Sequence, residues 1–409
     1  MYNIIRSQSD RFERDAVSFT QDLIRIPSPS LDESKLSDRI ETQMKDLDYD
    51  DVHRDDVGNV VGLIHGRESE PAVLLISHMD TVNPAGQADG GRSPYEPRIE
   101  QDRLYGLGAS DCKGGIAAQI YAGKVLKNSY LPLKGNLIVA ATVAENNGLS
   151  LGVKHLIKTT LPELGFQPTY AILGEPTNLG LYHGHDGWME VEIHVTSSNP
   201  FTVNDATESI YKNYLSDANQ IHLKHSEEKL FVSQPSYEES NGIRRSRIIA
   251  NRRIHTNECV AEVVEKLKQN AVYYSKDCGS VAVDVDIRTE TQKLATGQQC
   301  VVKRVVNSWE TDPFHPLLDR ARQSLAAADF PVKPGKWELG RLGMGTAGGA
   351  LVSEFNIPTI GFGPGLETQA HSSEEYVDVK NIGKAVYGTV VILHSLIGYP
   401  VFGWTSDDI

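Results

Sequence analysis

The sequence predicts an α/β sandwich interrupted by an inserted α+β unit, on three observations. Apolar runs of strand length alternate with stretches of helical periodicity through the first 186 residues, and the pattern resumes after Asp312-Pro313. Four of these runs hand over, at or soon after their C-terminal ends, to a side chain of metal-binding type. Residues 72–77 lead into His78-Met79-Asp80, 137–143 into Ala144-Glu145-Asn146, 170–173 into Gly174-Glu175, and 358–362 into a Gly-Pro-Gly turn and then Ala370-His371. In open α/β sheets, ligands gather at the carboxyl ends of the strands. Composition then changes after about Gly187, where alternating patterns replace the α/β rhythm.

In chain order, Phe12, Ala16, Phe19 and Leu23 share one face of a helix over 10–25, and Leu36, Ile40, Met44 and Leu47 repeat the spacing. Residues 59–64 and 72–77 read as strands, 83–98 as a long loop rich in Gly, Pro and Asp, and 114–126 as a helix before the strand that ends at Glu145. Within the insert, 189–196 alternates like an antiparallel strand, 206–215 is helical and 226–241 is a polar loop. A basic strand over 243–254, a helix over 260–271 and a strand over 281–287 follow. A helix over 381–397 closes the pattern. The division is therefore a larger domain of 1–186 and 308–409 around a smaller domain of 187–307, a normal small-domain size.

The 409 residues suit two domains, and 40% hydrophobic with 23% charged residues is ordinary for a soluble globular chain. A formal charge of −14 argues against a general binder of nucleic acid or anionic membranes. Cys112, Cys259, Cys278 and Cys300 form no CxxC, so reduced thiols in a cytoplasm are the simplest reading. No transmembrane run is present, and the opening residues lack the apolar core of a signal peptide.

One His, one Asp, two Glu and a second His converging at strand ends point to a metal site built for hydrolysis. A two-metal hydrolytic site needs a bridging carboxylate, end ligands for each ion and a general base. His78 is the first end ligand. Asp80, two residues on, can accept from the other nitrogen of His78 and fix its tautomer. Asp111 lies in Gly106-Leu107-Gly108-Ala109-Ser110-Asp111-Cys112-Lys113-Gly114-Gly115, before a helix. A carboxylate there can bridge two ions, and the glycines let backbone approach closely.

His-Met-Asp, Gly-x-Gly-x-x-Asp-x-Lys-Gly-Gly, Gly-Glu-Pro-Thr and the late Gly-Phe-Gly-Pro-Gly…Ala-His together resemble the M20 metallopeptidase family, in order and spacing, over 10–186 and 308–397. The resemblance implies a zinc-peptidase-like three-layer α/β sandwich as catalytic domain, with an inserted α+β lid domain that commonly mediates homodimerisation. It implies Zn2+, one or two ions, with Co2+ or Mn2+ as alternatives. His78, Asp111 and Glu175 would hold one ion; Asp111, Asn146 and His371 the other. Glu145 takes the general-base position, counting back from Gly148. A register slipped by one would make Glu145 a ligand and leave Ala144 in the base position, without a proton shuttle.

Two departures from the family pattern matter. Asn146 stands where the family has a ligand Glu; its amide oxygen can coordinate but carries no charge, so unequal affinities for the two ions are expected. The lid stretch Ile193-His194-Val195-Thr196-Ser197-Ser198-Asn199-Pro200 has no His where the family places an oxyanion-stabilising one; loss of such a donor typically costs ~10²–10³ in rate. The expected function is hydrolysis of an amide bond in a small N-acyl amino acid or peptide. Water attacks the carbonyl, Glu145 moves the proton and metal polarises the oxygen. The alternatives are a biosynthetic enzyme of the same fold that forms an amide or transfers an acyl group, and a non-catalytic binding homologue.

Four further signals have plainer readings. Gly148-Leu149-Ser150-Leu151-Gly152 fits a nucleophile elbow, but the strand ends several residues earlier, so a loop leading into a helix is expected. His183-Gly184-His185-Asp186 reads as a polar hinge. Arg244, Arg245, Arg247, Arg252 and Arg253 read as a solvated strand face, or as a clamp for a small anionic substrate. Gly343 to Gly349 is either a tight turn or a source of backbone contacts to substrate.

Overall fold

The computed structural model describes residues 1–84, 92–146, 149–224, 231–331 and 340–399. The chain forms two compact units. The larger comprises Met1–His185, Gln292–Cys300 and Glu310–Ile409; the smaller comprises Asp186–Thr291 and Val301–Trp309. The stretch 292–300, placed in the insert from sequence, groups with the larger unit because Leu294 is buried in that unit's core.

In the larger unit the strands Asn136–Thr142, Ala72–His78, Tyr170–Leu173 and Thr359–Gly361 lie side by side in that order, all parallel. They are the four runs that end in metal-binding side chains, so their carboxyl ends share one edge of the sheet. Every residue of Ala72–His78 and Asn136–Thr142 is buried, as expected for central strands covered on both faces. The strands Val60–Ile64 and Asp51–Arg54 extend one side antiparallel, and Tyr182–His185 adds to the other. Strand order reverses between 72–78 and 170–173, the switch point where α/β sheets open a crevice.

The helices Tyr2–Arg25, Gly114–Asn128 and Val379–Ile397 pack on one another and, with the sheet, enclose one large core. The first is amphipathic, burying Ile5, Phe12, Ala16, Phe19 and Leu23; the last is buried almost all round, as befits a helix inside the fold. Close approach of Gly114–Asn128 to a strand end depends on Gly115, where a Cβ would lie 2.0 Å from the carbonyl oxygen of Gly174.

In the smaller unit, the strand Gly187–Ser197 runs antiparallel to both Ile243–Ile254 and Ala282–Ile287. Met189, Val191, Ile193 and Val195 face a core completed by the helices Pro200–Lys224 and Val260–Ser275. The stretch 226–241, read as a polar loop, instead holds the short strands Phe231–Val232 and Ser236–Ser240, both paired with Ile243–Ile254; residues 226–230 lie outside the described residues. Asn241 and Gly242, at φ 53 and 72, make the two-residue turn that closes the hairpin. Its strand Ser236–Ser240 is exposed at every position, so no burial pattern announces it. Among the described residues no helix is long and apolar enough to cross a membrane.

Candidate metal centre

The strand register sets the site. His78 ends its strand opposite Thr142, so Glu145 follows three residues beyond that row; Leu173 pairs with Ile76 and Gly361, with Glu175 two residues on. Asp111 comes from the turn before Gly114–Asn128, where Gly108, at φ 82, permits the reversal. His371 follows the 3-10 turn Glu367–Gln369.

Asp111 stands between two imidazoles. Its Oδ1 is 3.2 Å from Nε2 of His78 and its Oδ2 is 3.0 Å from Nε2 of His371. Ligand atoms of His78, Glu175 and Cys112 lie within 4.8 Å of one another, all buried. Zinc ligands at ~2.0–2.2 Å put neighbouring donors roughly 3.3 Å apart, close to the spacing around Asp111. Oε2 of Glu175 and Oε2 of Glu145 are shut away from solvent with no hydrogen-bond donor among the described residues. Buried carboxylate oxygens without donors, beside two imidazoles and an aspartate, fit a divalent cation.

The electrostatics agree. Burial disfavours a charged His78, yet Asp111 and Asp80 outweigh it and hold its pKa well above the ordinary value. Burial likewise opposes ionisation of Asp111, but His78 and His371 keep it below the usual carboxylate range. The Asp111 carboxylate, 3.0 Å from Nε2, raises His371. Burial, and then Asp111 and Glu145, push Glu175 up against the opposing pull of His78. Glu145 is pushed up to about 7 by burial and by Asp80, again opposed by His78.

Around these groups, three side chains capture four successive backbone N–H groups. Val143 donates to Oδ1 of Asn59 at 3.0 Å, Ala144 to Oε1 of Glu33 at 2.9 Å, Glu145 to Oδ1 of Asp80 at 3.0 Å and Asn146 to Oδ2 of Asp80 at 2.8 Å. Ser30 Oγ also donates to Asp80, at 2.5 Å. The contact expected between His78 and the Asp80 carboxylate is therefore displaced. Nδ1 of His78 meets the Asp80 main-chain carbonyl at 2.8 Å and the carboxylate only at 3.5 Å, because that carboxylate holds the Glu145–Asn146 backbone. The carbonyl fixes the tautomer instead, leaving Nε2 to face Asp111. Nδ2 of Asn146 donates to the same Asp80 carbonyl at 3.2 Å.

Glu375 does similar work for Asp111. Its buried carboxylate accepts from the N–H groups of Gly108, Ser110 and Asp111, each at 2.8 Å. Burial, with Asp111 nearby, pushes Glu375 up to about 7, and burial with Asp80 nearby does the same to Glu33. Sequence reasoning missed Glu33, Asn59 and Glu375, since an acceptor for distant amides has no local signature; the only hint is an acid shortly after His371. Cys112 was noted only as a scattered thiol. Its Sγ donates to the Gly174 carbonyl at 3.1 Å, and burial pushes the thiol well up, so it packs as a neutral group.

Other sequence signals resolve differently. His183 and His185 are buried members of the strand Tyr182–His185, the last residues before the smaller unit begins at Asp186, with Nδ1 of His183 3.0 Å from the Thr311 carbonyl and Nε2 of His185 accepting from Thr346 N–H at 2.8 Å. The N–H groups of Gly343 and Met344 go to Oε1 of Glu367, at 2.6 and 3.0 Å. Arg244, Arg247 and Arg252 pair with Glu239, Glu192 and Glu258 inside the smaller unit. His194 lies in the strand, with Nε2 3.2 Å from Glu192. Gly148 lies outside the described residues.

Known proteins place this arrangement. YgeY of Escherichia coli K12, called an uncharacterized protein, is 28% identical over 404 residues, covering 91% of this chain and 92% of its own. Acetylornithine deacetylase of Aliivibrio salmonicida is 38% identical over 141 residues, 32% of this chain and 34% of that enzyme. The fold is shared with YXEP of Bacillus subtilis, a dinuclear metal-binding peptidase of the M20 family, at TM-score 0.68 and 12% identity over 94% of this chain and 98% of that one. The profile of peptidase family M20/M25/M40 matches residues 74–394, from the strand that ends at His78 to the last helix. With that span enclosing His78, Asp111, Glu145, Glu175 and His371 in order, the chain belongs to peptidase family M20/M25/M40, whose members hydrolyse amide bonds.

Proposed function

We propose that the chain hydrolyses the amide bond of a small N-acyl amino acid or short peptide. The observation that carries this reading is Asp111, whose two oxygens each face an imidazole at the carboxyl edge of the sheet, beside a glutamate with an unshared buried oxygen. His78, Asp111, Glu175 and His371 would hold the divalent cation, zinc foremost. When bound it supplies a Lewis acid for the substrate carbonyl and lowers the pKa of water. Glu145 takes the proton of the attacking water on Oε2 and returns it to the leaving amine. Asp80 and Glu33 keep the backbone under Glu145 in place, and Glu375 does so under Asp111. A recess lined by Val82, Asn83, Pro94, Leu107 and Ser372 adjoins His371 and offers room for one end of the substrate.

The test is turnover of N-acyl amino acids and di- and tripeptides by the purified chain with zinc, cobalt or manganese. Glu145→Gln should lower kcat by about 10²–10⁴ with cation content unchanged. Activity retained in that variant would remove the proton-transfer role, and binding without turnover across the panel would favour a non-catalytic homologue. Asn146 and the lid stretch without its histidine are what keep that second reading in view.

A further inference from the structure

The Gly-x-Ser-x-Gly stretch has a use other than nucleophilic attack. Ser150 Oγ donates to Oε1 of Glu145 at 2.9 Å. Ser150 is only 4% exposed. Glu145 thus has two unlike oxygens: Oε1 takes the serine proton, and Oε2 has no donor among the described residues.

Residues 149–152 are drawn tightly back on the strand end. Leu149 N–H donates to the Glu145 carbonyl at 3.1 Å, Leu151 to Ala144 at 3.4 Å and Gly152 to Val143 at 3.2 Å. Asn59 ties both sides, accepting from Val143 N–H and donating to the Gly152 carbonyl at 2.9 Å. A Cβ at Gly152 would lie 2.3 Å from the Val143 carbonyl oxygen, so the last glycine of the stretch is required for this closure. Ser150 itself sits at φ 62, ψ 33, a left-handed conformation that glycine adopts more readily. A serine there supplies what glycine lacks, a hydroxyl donor.

We propose that Ser150 is the positioning residue of the proton-transferring carboxylate, holding Oε1 of Glu145 so that Oε2 is the oxygen presented to the reacting water. This rests on the reading of Glu145 as the proton-transferring group. It stands against the nucleophile reading of the same serine, and the variants below separate the two.

The experiment compares Ser150→Ala, Ser150→Gly and Ser150→Thr with Glu145→Gln in the full-length protein. The Gly variant suits the left-handed backbone, so a change shared by Ala and Gly is due to the lost donor and not to misfolding. Infrared difference spectra against Glu145→Gln, taken without substrate, assign the Glu145 carboxyl band. That band should move in Ser150→Ala and Ser150→Gly and stay in place in Ser150→Thr; an unmoved band overturns the proposal. With the N-acetyl amino acid cleaved fastest, kcat should fall about 10–100-fold in the Ala and Gly variants, the scale of a misplaced catalytic group. KM should stay within about twofold, cation content should be unchanged, and Ser150→Thr should recover most of the rate. A loss as complete as that of Glu145→Gln would instead make Ser150 a reacting group and overturn the positioning role. Undiminished kcat in Ser150→Ala beside an inactive Glu145→Gln sinks this proposal alone, whereas an active Glu145→Gln sinks the reading beneath it.

Discussion

At one end of the site His78 is 4% exposed in its side chain, terminates a fully buried strand and has Nδ1 held by a main-chain carbonyl; Glu175 beside it is equally buried. At the other end His371 keeps 43% of its side chain exposed and follows a short 3-10 turn at φ 62; the ligand set expected from the family pattern would add Asn146 there in place of an acid. Both ends share Asp111. The contrast teaches that the two ends differ in charge and in preorganisation at once. The His78 end offers two carboxylates, Glu175 just beyond a strand end that the sheet positions and Asp111 from the turn before Gly114–Asn128. The His371 end offers one shared carboxylate and a histidine on a loop. Rigid, charged donors hold a cation better than mobile, neutral ones.

Metal titration of ligand variants tests this most strongly. His78→Ala should weaken the tighter equivalent about 100-fold or more, while His371→Ala should remove only the weaker one, as followed by competition with a chromogenic chelator. Equal affinities of both equivalents in the unaltered protein would break the comparison outright. Asn146→Glu is the next largest effect. Restoring an anion should tighten the weaker equivalent about tenfold and leave the tighter one unchanged, in the same assay. No change would mean that residue 146, tied to the Asp80 carbonyl, does not reach the cation.

The smallest effect is a control far from both ends. Burial, and then the N-terminal amine, lower the pKa of His394 from its ordinary 6.5 to about 4. The folded state therefore keeps His394 neutral. Its stabilising contribution is complete above about pH 6.5 and is lost as pH falls toward 4, because the unfolded chain takes up the proton first. His394→Gln should flatten that fall by no more than about 3 kcal/mol in chemical denaturation across the window. An unaltered slope would discard the assignment. The measurement also separates acid loss of the fold from acid release of cation at either end.

The parts legible in sequence were those with local, one-dimensional signatures. Central strands covered on both faces are continuous apolar runs, so Ala72–His78 and Asn136–Thr142 announce themselves, and the metal-binding residues follow their ends. The fully exposed strand Ser236–Ser240 had no such signature; its place comes from cross-strand pairing alone. Glu33, Asn59 and Glu375 escaped because each accepts from backbone N–H groups far away in sequence. Asp80 was found, and it lies beside His78, but its contacts with the amides of Glu145 and Asn146, at 3.0 and 2.8 Å, are closer than the 3.5 Å to His78 and had no sequence signature. Ser150 was visible as a motif, and only its buried contact with Glu145 shows what the hydroxyl does.

By itself the sequence determined the α/β class, the four strands and the family, because side-chain period and the order of short motifs are properties of a line. Tertiary structure alone decided which strands are neighbours, which oxygen of Glu145 is unshared and which carboxylates serve the backbone instead of the cation. Those outcomes are competitions among donors and acceptors brought together from distant segments, and burial sets what each unmatched group costs.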